Sequence, residues 1–348
     1  MNNMVQGDRA TGRQGDRATG RHISSKKKDY NYLSKNNFGR VIRLIVDSDY
    51  RFNVASILGL TRFMSDEKYL KRIFKMRLGY DLDLDNPQTF NEKLQWLKIH
   101  DRKPEYTLMA DKYEAKKYAA KIIGEEHIIP TLGVYNNFDE INFDELPEQF
   151  VLKCNHDSGS IVIVRDKNNF DKAHARKFLN KKLKRNYFWT GREWPYKDIK
   201  PKIIAEQYME DSVTHDLRDY KFFTFDGVAK AMFIATDRQN PNEETKFDFY
   251  DMDFKHLDFR HGHPNANIKI ARPEKFDEMR ELAEKLSAKL PQLRVDFYEV
   301  NGKIYFGELT FSHNMGMVAF EPFEWDKKFG EWITLPECNG GGGVCFNS

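Results

Sequence analysis

The sequence predicts an α+β fold rather than a doubly wound parallel sheet. Apolar residues recur at helical spacing through the first part of the chain, up to about Gly124, and strand-like runs dominate the rest. Several of these runs are joined by short turns of Asp, Asn and Gly, which are typical of antiparallel hairpins. The predicted class is therefore α+β, because helices are grouped beside sheets that are built from hairpins.

Length and composition limit what the protein can be. A chain of 348 residues can bury a sizeable core and form two or three subdomains. Its formal net charge of +3 is too close to balance for a nucleic-acid binder. Three cysteines (Cys154, Cys338 and Cys345) cannot build a disulfide framework, so we expect a cytoplasmic protein. No apolar run approaches the ~18 residues of a membrane span, and any contact with a membrane or an envelope-assembly complex would be peripheral.

The predicted organisation has five parts. Residues 1–35 contain a repeated QGDRATGR and are expected to be a disordered tail, and residues 338–348 have the glycine-rich composition of a flexible tail. Between them, we expect a helical region over 36–125, a first strand-rich subdomain over 126–205 and a second one over 206–337.

Helix signals mark the helical region. A first helix is predicted within residues 65–80, and a second begins at a capping box formed by Thr89 and Glu92. A third is expected to end at Gly124. Farther along, DKAHARKFLNKKL and PEKFDEMRELAEKLSAKL predict two more helices, the latter with Pro273 in its first turn.

Strand signals follow in order. The runs are QFVLKC, SIVIVR, KIIAEQYM, DYKFFTFDG, VAKAMFIA and LRVDFYEVNGKIYFGELTF. The turns FDGVA and EVNGK give the clearest hairpins.

Two carboxylates in the last predicted hairpin point to a metal ion. Asp296 and Glu308 lie on adjacent strands among apolar residues, where they would repel each other unless a cation or a proton separates them. Oxygen ligands are what Mg²⁺ prefers. In the alternative interpretation, both carboxylates point to solvent on alternating faces.

Three lysines and a glycine turn suggest a polyphosphate ligand. Lys112 opens a helix, and Lys153 and Lys221 lie in the middle of apolar strands, the latter beside Asp219. A lone lysine in a strand is more often an edge residue, and DSG between strands is also an ordinary hairpin turn. With the lysines nearby, the turn could offer the backbone N–H groups of Ser158, Gly159 and Ser160 to phosphate oxygens.

Glu206 ends an apolar strand where the chain passes between subdomains. Backbone in this segment could meet an adenine edge, with Glu210 or Asp211 reaching a ribose.

The order of these motifs resembles the ATP-grasp fold, and in particular its TupA-like group, which is named for teichuronopeptide biosynthesis. The resemblance rests on the lysine strand, the HDSGS turn, EQYM, DYKFF and VDFY…GELTF, and it extends from about Ser65 to Glu337. It implies an ATP-binding cleft between two α+β halves, preceded by a short helical region.

Roles for individual residues follow from the resemblance. The nucleotide ligands it implies are Lys112, Lys153, Ser158, Gly159, Ser160, Glu206, Gln207, Tyr208, Met209, Asp211, Asp219 and Lys221. Lys153 and the turn belong to the lid over the phosphates, and Glu206 to Met209 form the adenine hinge. The magnesium ligands are Asp296 and Glu308, and the third ligand is Asn314 or a water, because Thr310 stands where the fold usually has Asn. The residues that stabilise the transferring phosphoryl group are Arg238, Arg294 and Lys221.

The implied chemistry is carboxylate activation with ATP and Mg²⁺. An acyl phosphate forms first, and an amine then displaces phosphate to give an amide. The group's name implies that an amino acid or peptide is attached to a uronic-acid-containing surface polysaccharide or its precursor. The alternatives are a glycosyltransferase, a ligase that builds free peptides or modifies a peptide substrate, and a non-catalytic nucleotide-binding scaffold.

Overall fold

A computed structural model describes residues 45–212, 217–236, 244–266 and 268–337. Both predicted tails, and Arg238, lie outside these residues. The chain forms two compact units, Met1–Ala55 and Ser56–Ser348. The described part of the first unit is mainly helix α1 (Ser48–Ile57). No described helix is long and apolar enough to cross a membrane.

The second unit contains eight further helices in its described part. They are α2 (Asp66–Leu78), α3 (Phe90–His100), α4 (Pro104–Ala110), α5 (Glu114–Ile123), α6 (Lys172–Leu183), α7 (Phe188–Gly191), α8 (Phe276–Leu286) and α9 (Glu324–Glu331). The predicted capping box is confirmed: the Thr89 side chain accepts from the Glu92 N–H, and the Glu92 side chain accepts from the Thr89 N–H. Gly124 ends α5 with a φ of 100°, as predicted. The prediction that Lys112 opens this helix is wrong: Lys112 lies in the turn between α4 and α5, where Asp111 Oδ1 accepts from the Tyr113 N–H at 2.8 Å.

The predicted start of α8 at Pro273 is wrong. The helix begins at Phe276, because the Phe276 N–H donates to the Pro273 carbonyl three residues back and closes a turn before the helix. Phe276 is also the first residue of this helix whose side chain enters the core.

Two antiparallel sheets carry the strands. The four-stranded sheet has the order β1-β4-β2-β3, and the six-stranded sheet has the order β11-β10-β5-β6-β7-β8. Their strands are β1 (Thr131–Tyr135), β2 (Phe150–Cys154), β3 (Ile161–Val164), β4 (Ile203–Gln207), β5 (Asp219–Phe225), β6 (Val228–Thr236), β7 (Lys246–Tyr250), β8 (His256–Leu257), β10 (Gln292–Val300) and β11 (Lys303–Thr310). Strands β9 (Arg260–His261) and β12 (Phe320–Glu321) form a separate pair. The α+β prediction is confirmed.

The predicted hairpins are present. Asn301 and Gly302 join β10 to β11 with φ values of 51° and 72°, and Asp226 and Gly227 join β5 to β6 with 49° and 79°. Positive φ at both central residues defines the turn that fits the twist of two antiparallel strands. These turns fix the register of the strands that carry the candidate site.

Three apolar clusters hold the second unit together. One face of the six-stranded sheet packs on α4, α5 and α8, and its other face packs an aromatic cluster against α3 and α9. The four-stranded sheet packs on α6 through Leu152, Cys154, Ala175 and Leu179. Cys154 therefore belongs to the core, as strand alternation predicts. The six-stranded sheet is covered on both faces, so polar side chains within it are unusual.

Candidate active site

A row of charged side chains crosses the six-stranded sheet. Lys221 on β5 pairs in register with Asp296 on β10, and Asp296 pairs with Glu308 on β11. Residues paired in this way point to the same face of a sheet. The Lys221 ammonium donates to Asp296 and lies 3.5 Å from Asp219 Oδ2. The interpretation that Asp296 and Glu308 point to alternating faces is therefore wrong.

Arg294 binds both carboxylates. Its Nε and Nη2 donate to the two oxygens of Asp296 at 2.7 and 2.8 Å, and Nη2 also donates to Glu308 Oε1 at 2.7 Å. Burial opposes the charge of Arg294, yet Asp296 and Glu308 raise its pKa. Burial likewise opposes the charge of Glu308, but Arg294, Lys221 and Lys112 hold its pKa well below the usual value. Glu308 is therefore ionised, and both carboxylates lie within hydrogen-bonding distance of a cation.

His313 and Thr310 complete this group. Arg294 Nη1 donates to His313 Nδ1 at 2.7 Å, and Thr310 Oγ1 donates to Glu308 Oε1 at 3.2 Å. Burial and the neighbouring Arg294 lower the pKa of His313 far below its usual value, so the imidazole is neutral and Nε2 carries its proton. Nε2 faces the side-chain amide of Asn314 at 3.3 Å. His313 was not among the predicted site residues.

A second charged group links the four-stranded sheet to α5. Glu206 on β4 binds Lys153 on β2 at 2.6 Å and also binds Lys116 of α5. Lys116 donates further to the Ile129 carbonyl at 2.7 Å and to Thr131 Oγ1 at 3.2 Å. Burial opposes ionisation of Glu206, but the two lysines hold its pKa below the usual value. Sequence reasoning missed Lys116, although it lies one helical turn after Lys112.

The Gly/Ser turn lies beside Lys112. The Lys112 ammonium donates to the Asp157 carbonyl, and the Lys112 N–H donates to the Asn155 carbonyl at 3.1 Å. Asn155 and Asp157 are buried, whereas Ser158 and Gly159 are exposed. Gly159 has a φ of 77°, a value that glycine adopts without strain. Within the described residues, no acceptor is bonded to the N–H groups of Ser158 and Gly159.

A cavity of about 240 Å³ lies between the two sheets. The four-stranded sheet and the segment after it contribute Lys153, Ile163, Glu206, Gln207, Tyr208, Met209 and Glu210, and the six-stranded sheet contributes Ala235, Tyr298, Phe306 and Gly307. The cavity is lined by apolar side chains with charged groups at one part of its wall, as in most small-molecule sites. All four residues of the proposed adenine hinge line it.

Two further predicted site residues, Asp211 and Asn314, lie in the segments that follow β4 and β11. Asp211 Oδ2 accepts from the Asn301 N–H at 2.8 Å, which ties the segment after β4 to the β10–β11 turn. Asn314 has a left-handed backbone with a φ of 49° in the turn after β11. Its described side-chain contact is with His313, so its role as a metal ligand stays a prediction.

The donor atoms fit ATP and Mg²⁺. Mg²⁺ is usually bound by one or two protein carboxylates together with substrate phosphates and water. Asp296 and Glu308 supply two carboxylates on one face, and the Glu308 side chain is 38% exposed. Lys112, Lys153 and the unbonded N–H groups of Ser158 and Gly159 are the donors that phosphate oxygens need.

The ATP-grasp class is defined by two antiparallel sheets that enclose a cavity, and here one sheet carries Lys153 and the other carries the carboxylate pair. The sequence profile of a family described as TupA-like ATPgrasp matches residues 92–334, well over half of the chain. The chain therefore belongs to the TupA-like ATP-grasp family, which confirms the resemblance. No curated protein matches it.

Solved structures with a similar fold include ligases. A D-alanine–D-alanine ligase from Bacillus anthracis, complexed with ATP, is 16% identical, with a TM-score of 0.35 over 59% of this chain and 54% of that one. An L-amino acid ligase from Bacillus licheniformis is 12% identical, with a TM-score of 0.40 over 71% and 55% of the two chains. This chain spans about half the length of these structures.

Proposed function

We propose that the protein is an ATP-dependent carboxylate–amine ligase. The observation that carries this proposal is the row of Lys221, Asp296 and Glu308, bound by Arg294, in a sheet that is covered on both faces. Burial of a charged row of this kind is energetically unfavourable, so a contribution to fold stability does not by itself explain why the row is present. Family membership supports the same function.

The nucleotide would lie in the cavity between the sheets. Gln207 to Met209 would border the base, and Asp211 would be near the ribose. Lys153, Lys112 and the turn from Ser158 to Ser160 would bind the phosphates. Glu206 would hold Lys116 and Lys153 in position rather than contact the base, because both of these lysines line the cavity.

The charged row would act on the transferring phosphoryl group. Asp296 and Glu308 would hold Mg²⁺, which neutralises charge on phosphate oxygens when bound. Arg294 and Lys221 would then stabilise the negative charge that develops during transfer, and we extend this role to Arg238 from the resemblance alone. His313 accepts a hydrogen bond from Arg294 and so holds the guanidinium in place.

The proposed reaction has two steps. A carboxylate oxygen of the substrate attacks the γ-phosphorus of ATP, the bond from that phosphorus to the bridging oxygen breaks, and ADP leaves. The amine nitrogen then attacks the acyl carbon of the acyl phosphate and loses a proton, while the carbon–oxygen bond to phosphate breaks and inorganic phosphate leaves. The products are an amide, ADP and phosphate.

The substrates are proposed from the family. An amino acid or peptide would be joined to a uronic-acid-containing polysaccharide or its precursor. Because the reaction consumes ATP, we place it in the cytoplasm.

Trapping with hydroxylamine tests this function without knowledge of the amine. The protein is incubated with MgATP, UDP-sugars, hydroxylamine and a panel of uronic acids and amino acids, and ADP, UDP and hydroxamate are measured. We expect equal amounts of both with at least one carboxylate. Consumption of UDP-sugars without ADP would indicate a glycosyltransferase, and no turnover of either nucleotide would indicate a scaffold.

A further inference from the structure

A buried glutamate lies in the short helical segment between α6 and β4. Glu193 follows helix α7 and is only 3% exposed. Within the described part of the chain, no residue donates a hydrogen bond to its carboxylate or forms an ion pair with it. A buried carboxylate without a partner is costly, and natural structures keep such groups where they have a function.

The Lys98 ammonium, whose charge lowers the pKa of Glu193, already has other hydrogen-bond partners. The Lys98 ammonium on α3 donates to Gln95 Oε1 at 2.9 Å, to the Gly191 carbonyl at 2.9 Å and to the Met315 carbonyl at 2.7 Å. An ammonium has three N–H donors, and all three are used. Lys98 therefore affects Glu193 through its charge but not as a bonded partner.

Glu193 lies beside the charged row. The Lys98 ammonium donates to the carbonyl of Gly191, two residues before Glu193, and to the carbonyl of Met315 in the turn after β11. The same turn contains His313, which accepts a hydrogen bond from Arg294. The rings of Tyr187 and Tyr196 are 5.2 Å apart. A Cβ on Gly191 would lie 3.3 Å from Glu193 Oε1 and 2.8 Å from Met315 Sδ, so this glycine lets the carboxylate approach the turn after β11.

An ammonium group is the ligand that these residues fit. A positive charge with N–H donors would give Glu193 its missing partner, and aromatic rings such as those of the two tyrosines attract cations. We propose that Glu193, with Tyr187 and Tyr196, binds the protonated amine co-substrate beside Arg294 and accepts its proton. This inference rests on the proposed ligase function.

The protonation state of Glu193 is compatible with this role. Burial raises its pKa to about 7, against the opposing charges of Lys98 and Arg294. A general base works best when its pKa lies near the working pH. In the proposed step, one N–H proton of the ammonium passes to the Glu193 carboxylate, and the freed nitrogen lone pair attacks the acyl phosphate carbon.

Hydroxylamine separates this inference from the ligase function, because it is largely uncharged near neutral pH and needs no ammonium site. We expect Glu193→Gln to form hydroxamate at a rate within about threefold of the wild type, while amide formation with the common amino acids falls by about 100-fold or more. Asp101→Asn, which alters another buried carboxylate, should change neither rate.

The outcomes separate the two proposals. Loss of hydroxamate and amide to the same extent, or retention of both, would overturn the role of Glu193 while leaving the ligase intact. No hydroxamate from the wild type with any carboxylate would overturn the ligase itself. Should the Gln variant fail to fold, Glu193→Asp keeps the charge, and we expect it to raise the KM for the amine without changing the KM for ATP.

Discussion

Arg294 is the residue on which the charged row depends. It donates to Asp296, Glu308 and His313 at once, and it lies on the same sheet face as the two carboxylates. Arg294, Lys221 and Lys112 hold the pKa of Glu308 below its usual value, so this carboxylate would bind a divalent cation without losing a proton. The neutral His313 accepts a hydrogen bond from Arg294 and leaves the positive charge of the guanidinium undiminished.

Substitution of Glu308 tests the magnesium assignment. Glu308→Gln removes a metal ligand, but its side-chain oxygen can still accept the hydrogen bond from Arg294. We expect kcat to fall by about 100-fold or more, and the free energy of unfolding to change by less than about 1 kcal/mol. Steady-state ADP release and urea unfolding measure the two effects.

Glu321→Gln is the matched control for this prediction. Its side chain is 62% exposed and binds Arg260 at the surface, so neither quantity should change. Normal ADP release by the Glu308 variant would mean that Asp296 and Glu308 do not hold the metal.

Glu193 gives a prediction for stability as a function of pH. Its pKa is about 7 in the folded state against a usual value of 4.5, so the folded state binds more protons between these values and stability falls as the pH rises through them. Glu193→Gln has no ionisable group at this position, so the variant does not lose this stability as the pH rises. The variant should therefore gain stability relative to the wild type as the pH rises from about 4.5 to 7. Thermal unfolding of both proteins across this range measures the difference, and a constant difference would show that the folded-state pKa is not raised.

Single residues were predictable where two strands fix their position. Asp296 and Glu308 could be paired because Asn301 and Gly302 set the hairpin register. Glu193 could not be found, because it lies in an aromatic segment without helix or strand periodicity and its neighbours come from α3 and β10. Lys116, in contrast, could have been predicted from the sequence. It follows Lys112 by four residues, and residues at this spacing share one face of a predicted helix.

At the scale of elements, helix α5 connects the two sheets. Its apolar residues Ala115, Ala119 and Ile123 pack on the core of the six-stranded sheet, while Lys116 binds Glu206 of the four-stranded sheet. The packing of α5 on the core therefore helps to fix the position of Lys153, because Lys153 and Lys116 bind the same carboxylate of Glu206.

Two neighbouring lysines of α5 test this coupling. Lys116→Met leaves the buried Glu206 with one cation instead of two, and we expect the free energy of unfolding to fall by about 2–4 kcal/mol, with weaker ATP binding. Lys117→Met removes an exposed partner of Glu114, and its effect should stay within about 0.5 kcal/mol. Chemical unfolding and nucleotide titration of both variants measure this. Equal effects of the two substitutions would contradict the coupling.

Elements were predictable where local chemistry decides them. The capping box at Thr89, the end of α5 at Gly124 and both hairpin turns follow from a few adjacent residues. The start of α8 was misplaced, because proline suits the first helical turn but also suits the turn before it, and packing of Phe276 in the core decides between them.

For the whole molecule, the cavity between the sheets is the feature that could not be predicted directly from the sequence. The strands and their order predict two sheets, but the distance between them depends on side chains from both, such as Lys153 and Tyr298. The subdomain limits at 126–205 and 206–337 stay predictions.

Ligand binding to the whole molecule should be visible as stabilisation. A ligand that binds only the folded state stabilises it by about 2.7 kcal/mol at 100 times its Kd. We expect MgATP to raise the Tm, ATP with EDTA to raise it less, and UDP-sugars to leave it unchanged. Thermal unfolding with each ligand measures this, and stabilisation by UDP-sugars alone would favour a glycosyltransferase.

Transfer of oxygen from the carboxylate to phosphate tests the central claim most directly. A carboxylate substrate found by hydroxylamine trapping is labelled with ¹⁸O in its carboxyl group and incubated with the protein, MgATP and an amine. If the carboxylate attacks the γ-phosphorus, each phosphate released carries one oxygen from the carboxylate, and mass spectrometry of the phosphate should show the label. Amide formation with unlabelled phosphate would contradict the acyl-phosphate route and the proposed roles of Lys221, Arg294, Asp296 and Glu308 in phosphoryl transfer.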